Sequence, residues 1–221
     1  MKVRILMQEN RAITQVDLLT AIAVLIVLAS MFGWWLINVR DHDRRQDCID
    51  NLKQINISLR IWEGGNIAYP MIVSVTNGGA MELVATGNVA ACFQVMSKEL
   101  STPKILVCPS DQERIPATNF QNDFNNSHIS YFINPDADES YPQEIMDGDD
   151  NLATTGVAVK SGMLVLSPGA SVSWTIARHA GCGNIGYADG SVAEISRSGL
   201  QSSLILATNG TLTMTNRFVI P

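Results

Sequence analysis

Between Asp17 and Arg40 the chain carries no charged residue: Leu18 to Val39 is an unbroken run of about 22 residues. At about 1.5 Å of rise per residue, a helix of that length crosses the roughly 30 Å hydrocarbon core of a bilayer. Only a helix satisfies its own backbone there. A core helix of a soluble domain would be shorter and would show a polar face, and this run shows none. Trp34 and Trp35 stand near its far end, where amphipathic aromatics suit a membrane interface. Lys2, Arg4 and Arg11 precede it and place the N-terminus in the cytoplasm, with the rest of the chain outside. A cleaved secretory signal would have an apolar region of about 7–15 residues ending at a small-residue site. Here the run ends in bulky Phe32-Gly33-Trp34-Trp35-Leu36-Ile37, which predicts a retained membrane helix.

Nothing stops that helix beyond Val39. Arg40 to Gln46 is polar but free of glycine and proline. Cys48, Leu52, Ile55, Leu59 and Trp62 then recur at spacings of 4, 3, 4 and 3, one apolar stripe on a helix. Gly64-Gly65 ends it. The pattern predicts one helix from about Thr14 to Glu63, whose second half lays its stripe on a head.

Outside the apolar run the composition is that of a soluble, acidic domain. With 15 Lys and Arg against 21 Asp and Glu, the net charge is -6. Such a head repels phosphate backbones, and no basic patch is interleaved with aromatics, so nucleic acid is not an expected partner. The four cysteines, Cys48, Cys92, Cys108 and Cys182, contain no C-x-x-C pair. A zinc ribbon or thioredoxin-like motif is therefore excluded. An exported head permits disulfides, and four cysteines allow three pairings; one disulfide or none, with the remaining thiols buried as small apolar residues, is the plain expectation.

From Asn66 the periodicity is short and broken. Turn signals stand at Asn77-Gly78-Gly79, Gly87-Asn88, Asn134-Pro135, Asp147-Gly148, Ser167-Pro168-Gly169 and Asp189-Gly190. A short helix is expected within Glu82–Leu100, a strand end and turn at Ile105–Asp111, and a strand at Ser171–Ala177. Asp189-Gly190 between alternating runs predicts a hairpin across Asn184–Ile195. Ser198–Ala207 reads as a helix and Thr211–Ile220 as a closing strand. The fold class is α+β: a long N-terminal helix packed on a small antiparallel sheet.

Two places attract chemical readings. Asp136, Asp138, Glu139, Glu144, Asp147, Asp149 and Asp150 crowd one stretch. Oxygen ligands at that density can hold calcium, with Asp136, Asp138, Asp147 and Asp149 as candidates, although EF-hand spacing is absent and a solvated acidic loop is the alternative. His179, with Asp189 and Cys182 or Ser110, suggests a triad or metal site, but G-x-S-x-G and H-E-x-x-H are both missing. A structural imidazole bonded to the Asp189-Gly190 turn is expected instead, and no enzyme activity. Gly181-Cys182-Gly183-Asn184-Ile185-Gly186 fits G-x-G-x-x-G, yet a hairpin follows where a phosphate-binding helix would be needed.

Arg11-Ala12-Ile13-Thr14-Gln15-Val16-Asp17-Leu18-Leu19 resembles the leader junction of type IV prepilins and pseudopilins. By that resemblance cleavage falls after Ala12, Ile13 becomes an N-methylated N-terminus, and Asp17 stands for the family's glutamate and meets a neighbouring subunit's amine. The chain departs from the pattern at Ala12 (usually glycine), Ile13 (usually phenylalanine), Asp17 (shorter than glutamate) and Trp34, where the family's proline would fall. Cys48-Ile49-Asp50-Asn51-Leu52-Lys53-Gln54-Ile55, Cys108-Pro109-Ser110-Asp111, Gly148-Asp149-Asp150-Asn151 and the H-x9-D-G spacing of His179 and Asp189-Gly190 resemble further motifs of a bacterial pilin-like family. The resemblance implies a leader at 1–12, a transmembrane half-helix at 13–39, its amphipathic continuation at 40–63 and an exported head at 64–221. It also implies calcium on an acidic loop, as in major pseudopilins. The expected function is a structural subunit of a type II secretion or type IV pilus-like filament in the cytoplasmic membrane. Its expected partners are a prepilin peptidase, other pilin-like subunits and the membrane. A permanently anchored envelope module is the alternative, and a membrane-tethered enzyme a third.

Overall fold

The computed structural model describes residues 15–167, 169–208 and 215–221. Ala12 and Ile13, and the start of the strand expected at Thr211, lie outside them. The chain divides into two compact units at His42/Asp43.

Helix α1, Gln15–Gly64, is continuous over 50 residues, close to the expected bounds. In the first unit its segment Gln15–Leu36 is 22 residues long and apolar enough to cross a membrane, and none of it is buried within the protein. The hydroxyls inside this run are satisfied by the helix itself: Thr20 Oγ1 donates to Asp17 O (2.9 Å) and Ser30 Oγ to Val27 O (2.7 Å). That is how a polar side chain rests in an apolar medium. Gly33 does not break the helix.

The second unit is the α+β head. The remainder of α1 buries the predicted stripe: Cys48, Leu52, Ile55 and Leu59 are inaccessible and Trp62 nearly so. The helix end is closed locally, with Gly65 N donating to Trp62 O (3.2 Å), Asn66 N to Glu63 O (2.9 Å) and Asn66 Nδ2 to Trp62 O (2.7 Å). Three short helices follow, α2 Met81–Ala85, α3 Val89–Val95 and α4 Ser97–Leu100. One helix was expected here. Gly87, at φ +94°, interrupts it, and Asn88 starts α3 by accepting from Ala91 N (3.2 Å).

The strands are β1 Tyr131–Ile133, β2 Ile145–Asp149, β3 Leu152–Thr154, β4 Val157–Ala158, β5 Gly162–Leu166, β6 Val172–Trp174, β7 Gly183–Tyr187, β8 Val192–Ile195 and β9 Asn216–Ile220, with α5 Arg197–Thr208 before the last. They form a six-stranded sheet, β5-β9-β1-β2-β7-β8, and a three-stranded one, β4-β3-β6. Every pairing is antiparallel.

The central strands of the larger sheet, β9, β1, β2 and β7, are buried on both faces, while its edge strands β5 and β8 are partly exposed. Tyr131, Ile133 and Val219 join the core around α1 and α2–α3, while their neighbours Phe132, Phe218 and Ile220 join a second core with Trp174, Leu200 and Leu204 of β6 and α5. This is the period-two alternation of a strand read on two faces. The Phe132 and Phe218 rings meet at 4.4 Å between centroids.

Two local expectations are corrected. Asp147-Gly148 is no turn but the middle of β2, because Gly148 is needed for close packing: a Cβ there would lie 2.8 Å from both Asn184 O and the Phe132 ring. Ile105–Val107 is not a strand end. A 3-10 turn, Pro103–Leu106, precedes Val107, started by Pro103 and the Thr102 side chain. The Asp189-Gly190 hairpin forms as expected between β7 and β8, with Ser191 N donating to Asp189 Oδ1 (2.8 Å) and Gly190 at φ +86°.

Candidate functional site

Four separated segments of the head meet behind one disulfide. Cys48 of α1 is bonded to Cys108, closing a loop across 60 positions and fixing the helix to the segment before Asp111. Of the other thiols, Cys92 is buried and Cys182 half-buried. Burial, and then the nearby Asp147 charge, pushes the Cys92 thiol far above its ordinary range.

Below the disulfide lies a buried ion cluster. Arg178, 8% exposed, donates from Nη2 to Asp150 Oδ1 and from Nη1 to Ser130 O (3.3 Å). Its Nη1 is also 3.4 Å from Asp111 Oδ2. Arg114 closes the ring, Nη2 to Asp150 Oδ2 at 2.6 Å and Nη1 to Asp111 Oδ2 at 3.1 Å. Ser130 Oγ donates to Asp111 Oδ2 (2.8 Å). Two guanidinium groups thus alternate with two carboxylates, the arrangement that bidentate arginine favours. Burial opposes the Asp111 charge, but Arg178, Ser130 and Arg114 together hold its carboxyl below the usual range. Burial lifts Asp150 despite both arginines. The cluster floors a cleft of about 590 Å³, lined among others by Asp111, Arg114, Asp150, Asn151, Thr175 and Arg178.

His179 sits at the inner edge of this cluster. Its Nε2 is 3.2 Å from Cys108 Sγ and 3.3 Å from Asp149 Oδ2. The same Asp149 oxygen accepts from Asn184 N (2.8 Å) and Nδ2 (2.9 Å). The backbone here is strained: His179 and Ala180 stand at φ +50° and +52°, followed by Gly181 at +84°. Non-glycine residues in that region cost on the order of 1–3 kcal/mol each and collect where geometry serves a purpose. His179 Nδ1, Asp149 Oδ1, Asn151 Oδ1, Asn184 Oδ1 and Trp174 Nε1 are buried with no hydrogen-bond partner among the described residues.

The predicted site residues are distributed differently from the expectation. Among the described residues the hydrogen-bonding neighbours of His179 are Cys108 and Asp149, not the Asp189-Gly190 turn. That turn is held by Arg60 of α1, whose Nη1 donates to Asp189 O at 2.6 Å. The four calcium candidates share no loop. Asp147 and Asp149 point inward from β2 and are inaccessible. Asp136 pairs with Arg217 (3.1 Å), and Asp138 Oδ1 accepts from Ser140 N (2.8 Å). Strand alternation, which crowding in sequence does not show, turned two of the four into the core. With the Asn56 amide of α1 assigned from its hydrogen-bonding surroundings, so that nitrogen rather than oxygen faces the carboxylate, it donates to Asp147, 2.9 Å from Oδ2 and 3.2 Å from Oδ1. Burial, then the Asp149 charge, pushes Asp147 well above the usual carboxylate range. Gly186 makes room for this pair, since a Cβ there would fall 2.0 Å from Asp147 Oδ1. Gly183 likewise lies under the Trp174 ring, 2.5 Å from a built Cβ. The G-x-G-x-x-G match is thus a matter of close packing, and its last four residues lie within strand β7 where a phosphate-binding helix would be needed.

Among the described residues, no acid–base relay is laid out around His179. A triad uses both imidazole nitrogens, one toward the nucleophile and one toward the orienting carboxylate. Here one nitrogen faces both, and the sulfur is held in a disulfide. Sequence reasoning missed Arg114 and Arg178. The available signal was that Arg178 directly precedes His179 and that Arg114 follows Asp111 at the third position.

The class defined by this layout is a head with an α+β fold carried on a helix long and apolar enough to cross a membrane. No protein-family model, no curated protein and no solved structure matches the chain.

Proposed function

We propose that the chain is a pilin-like structural subunit, anchored by α1 in the cytoplasmic membrane with its head exported, and that it works by assembling with similar subunits rather than by catalysis. The observation that carries this reading is the continuity of α1. One helix offers an uncovered 22-residue apolar span and then, without a break, the stripe on which the head is built. Assembly would exchange lipid for neighbouring helices along that span. Asp17, in the first turn of α1, would meet a neighbour's N-terminal amine.

The test is the N-terminal sequence and intact mass of the protein purified from its own membranes. A start at Ile13, N-methylated, supports processing by a prepilin peptidase and filament assembly. A start at Met1 replaces that reading with a permanently anchored envelope module, for which the polar cleft at Asp111, Arg114, Asp150 and Arg178 would be the place to seek a ligand.

A further inference from the structure

Three ligand-type atoms already surround His179 Nε2. The Sγ atoms of Cys48 and Cys108 and a nitrogen of His179 lie within 4.8 Å of one another, all three residues buried. Asp149 Oδ2 is 3.3 Å from Nε2 on a second side, and Cys108 Sγ is 3.2 Å from it. Tetrahedral zinc, with bonds of about 2.0–2.3 Å to nitrogen, oxygen and sulfur, sets neighbouring ligand atoms roughly 3.3–3.8 Å apart. The edges from Nε2 to Asp149 Oδ2 and to Cys108 Sγ are near those values. The two sulfurs are bonded and must part, and the Asp149 carboxylate, which lies outside the set of three mutually close ligand atoms, must swing toward the sulfurs to complete a tetrahedron. Two independent features bear on the same point. His179 is held there by consecutive residues in left-handed conformations, and Asp149 Oδ1 is buried without a partner among the described residues. Both fit a donor set assembled for something other than apolar packing.

We propose that the sulfurs of the Cys48–Cys108 disulfide become, once reduced, two ligands of a latent zinc-class site completed by His179 Nε2 and the Asp149 carboxylate. A dithiol reductant delivers two electrons and two protons: the Cys48–Cys108 bond breaks, two thiols form, and the reductant closes its own disulfide. The cation then displaces one proton from each thiol and binds two thiolates. His179 binds through the Nε2 lone pair with its proton on Nδ1, which has no hydrogen-bond partner among the described residues. Thiolate and imidazole select a zinc-class cation over calcium or magnesium. Covalent staple and metal site are mutually exclusive states of the same two sulfurs, so the head has one lock for oxidising conditions and another for reducing ones. The inference concerns the head alone and stands whether or not the chain assembles into filaments.

The test uses the full-length protein in detergent, carrying Cys92→Ala and Cys182→Ser so that Cys48 and Cys108 are the remaining thiols. It is reduced anaerobically with a phosphine and titrated with Co²⁺ as a spectroscopic stand-in for zinc. One Co²⁺ per chain is expected, with thiolate charge-transfer and tetrahedral d–d bands that Zn²⁺ abolishes and that the oxidised protein never shows. His179→Asn keeps both thiols and should weaken Co²⁺ binding at least tenfold. If reduction alone unfolds the head, Zn²⁺ should restore its near-ultraviolet dichroism, because metal binding then supplies folding free energy. The proposal is overturned if the reduced, folded protein gives no thiolate–cobalt absorption. It is equally overturned if His179→Asn binds as tightly as the parent, or if a reduced, unfolded head stays unfolded in saturating Zn²⁺.

Discussion

The first half of α1 and the ion cluster of the head invert each other's chemistry. Along Leu18–Leu36 the side chains are uncharged, mostly apolar and exposed; at Asp111, Asp150, Arg178 and His179 they are ionisable and lie inside. Neither fits the simple rule that oil goes in and charge goes out. Each is acceptable because of its surroundings. The apolar helix needs a medium or neighbours of its own kind, and its hydroxyls already bond to its own carbonyls. The buried charges need each other, and the fold brings them together from three segments of chain, 111–114, 149–150 and 178–179. Burial alone therefore says little about what a residue does; its partners decide.

The comparison breaks first at Arg178. Arg178→Ala leaves Asp150 and Asp111 with Arg114 as their remaining guanidinium partner, and the head should lose about 3–5 kcal/mol. The denaturant midpoint of the detergent-solubilised protein measures this, and a loss well under that range would mean Arg114 neutralises both carboxylates by itself. The reverse experiment puts a charge on the exposed helix. Leu25→Arg should cost about 2.5–3.5 kcal/mol of membrane insertion while leaving the head's unfolding midpoint unchanged. Alkaline extraction of membranes reads it: the parent stays in the pellet and the variant shifts toward the supernatant. Retention of the variant would show that something besides this span holds the chain.

The smallest effect concerns a carboxyl that neither region absorbs. Glu144 is buried where Asp138 N (3.1 Å) and Asn134 Nδ2 (3.4 Å) donate to it, yet burial still raises it from 4.5 to about 7. The folded protein therefore keeps a proton that the unfolded chain gives up. Stability should fall as pH rises from 4.5 to about 7 and then level off. The full shift would be worth about 3 kcal/mol, and solvent screening of this incompletely enclosed carboxyl leaves about 1–2 kcal/mol attributable to it. Unfolding curves across that window should be flatter for Glu144→Gln, and identical slopes would remove Glu144 from the account.

Much of this was legible in the sequence. The uncharged run, the 4-3-4-3 stripe to Trp62 and the Asp189-Gly190 hairpin are local patterns, and local patterns survive folding. What escaped was set by distance along the chain. Cys48 finds Cys108 across 60 positions, and Arg178 finds Asp150 across 28. No spacing announces such partners. Asp147-Gly148 shows the opposite failure: a strong local turn signal lost to tertiary packing, because Phe132 and Asn184 leave room only for glycine in mid-strand. The quoted motifs at Cys48, Cys108–Asp111, Gly148–Asn151 and His179 were visible as separate segments. That they surround one buried cluster was not.

The disulfide also fixes where mechanical load travels. Tension on α1 ahead of Cys48 passes across the covalent bond to Cys108 and from there toward Asp111 and β1. The end of α1 and the short helices α2–α4 lie in the loop that this bond bypasses, so they are off the covalent path of the load. Along that covalent path a pull on α1 reaches β1 ahead of α2–α4, and reduction of the bond would reroute it through them.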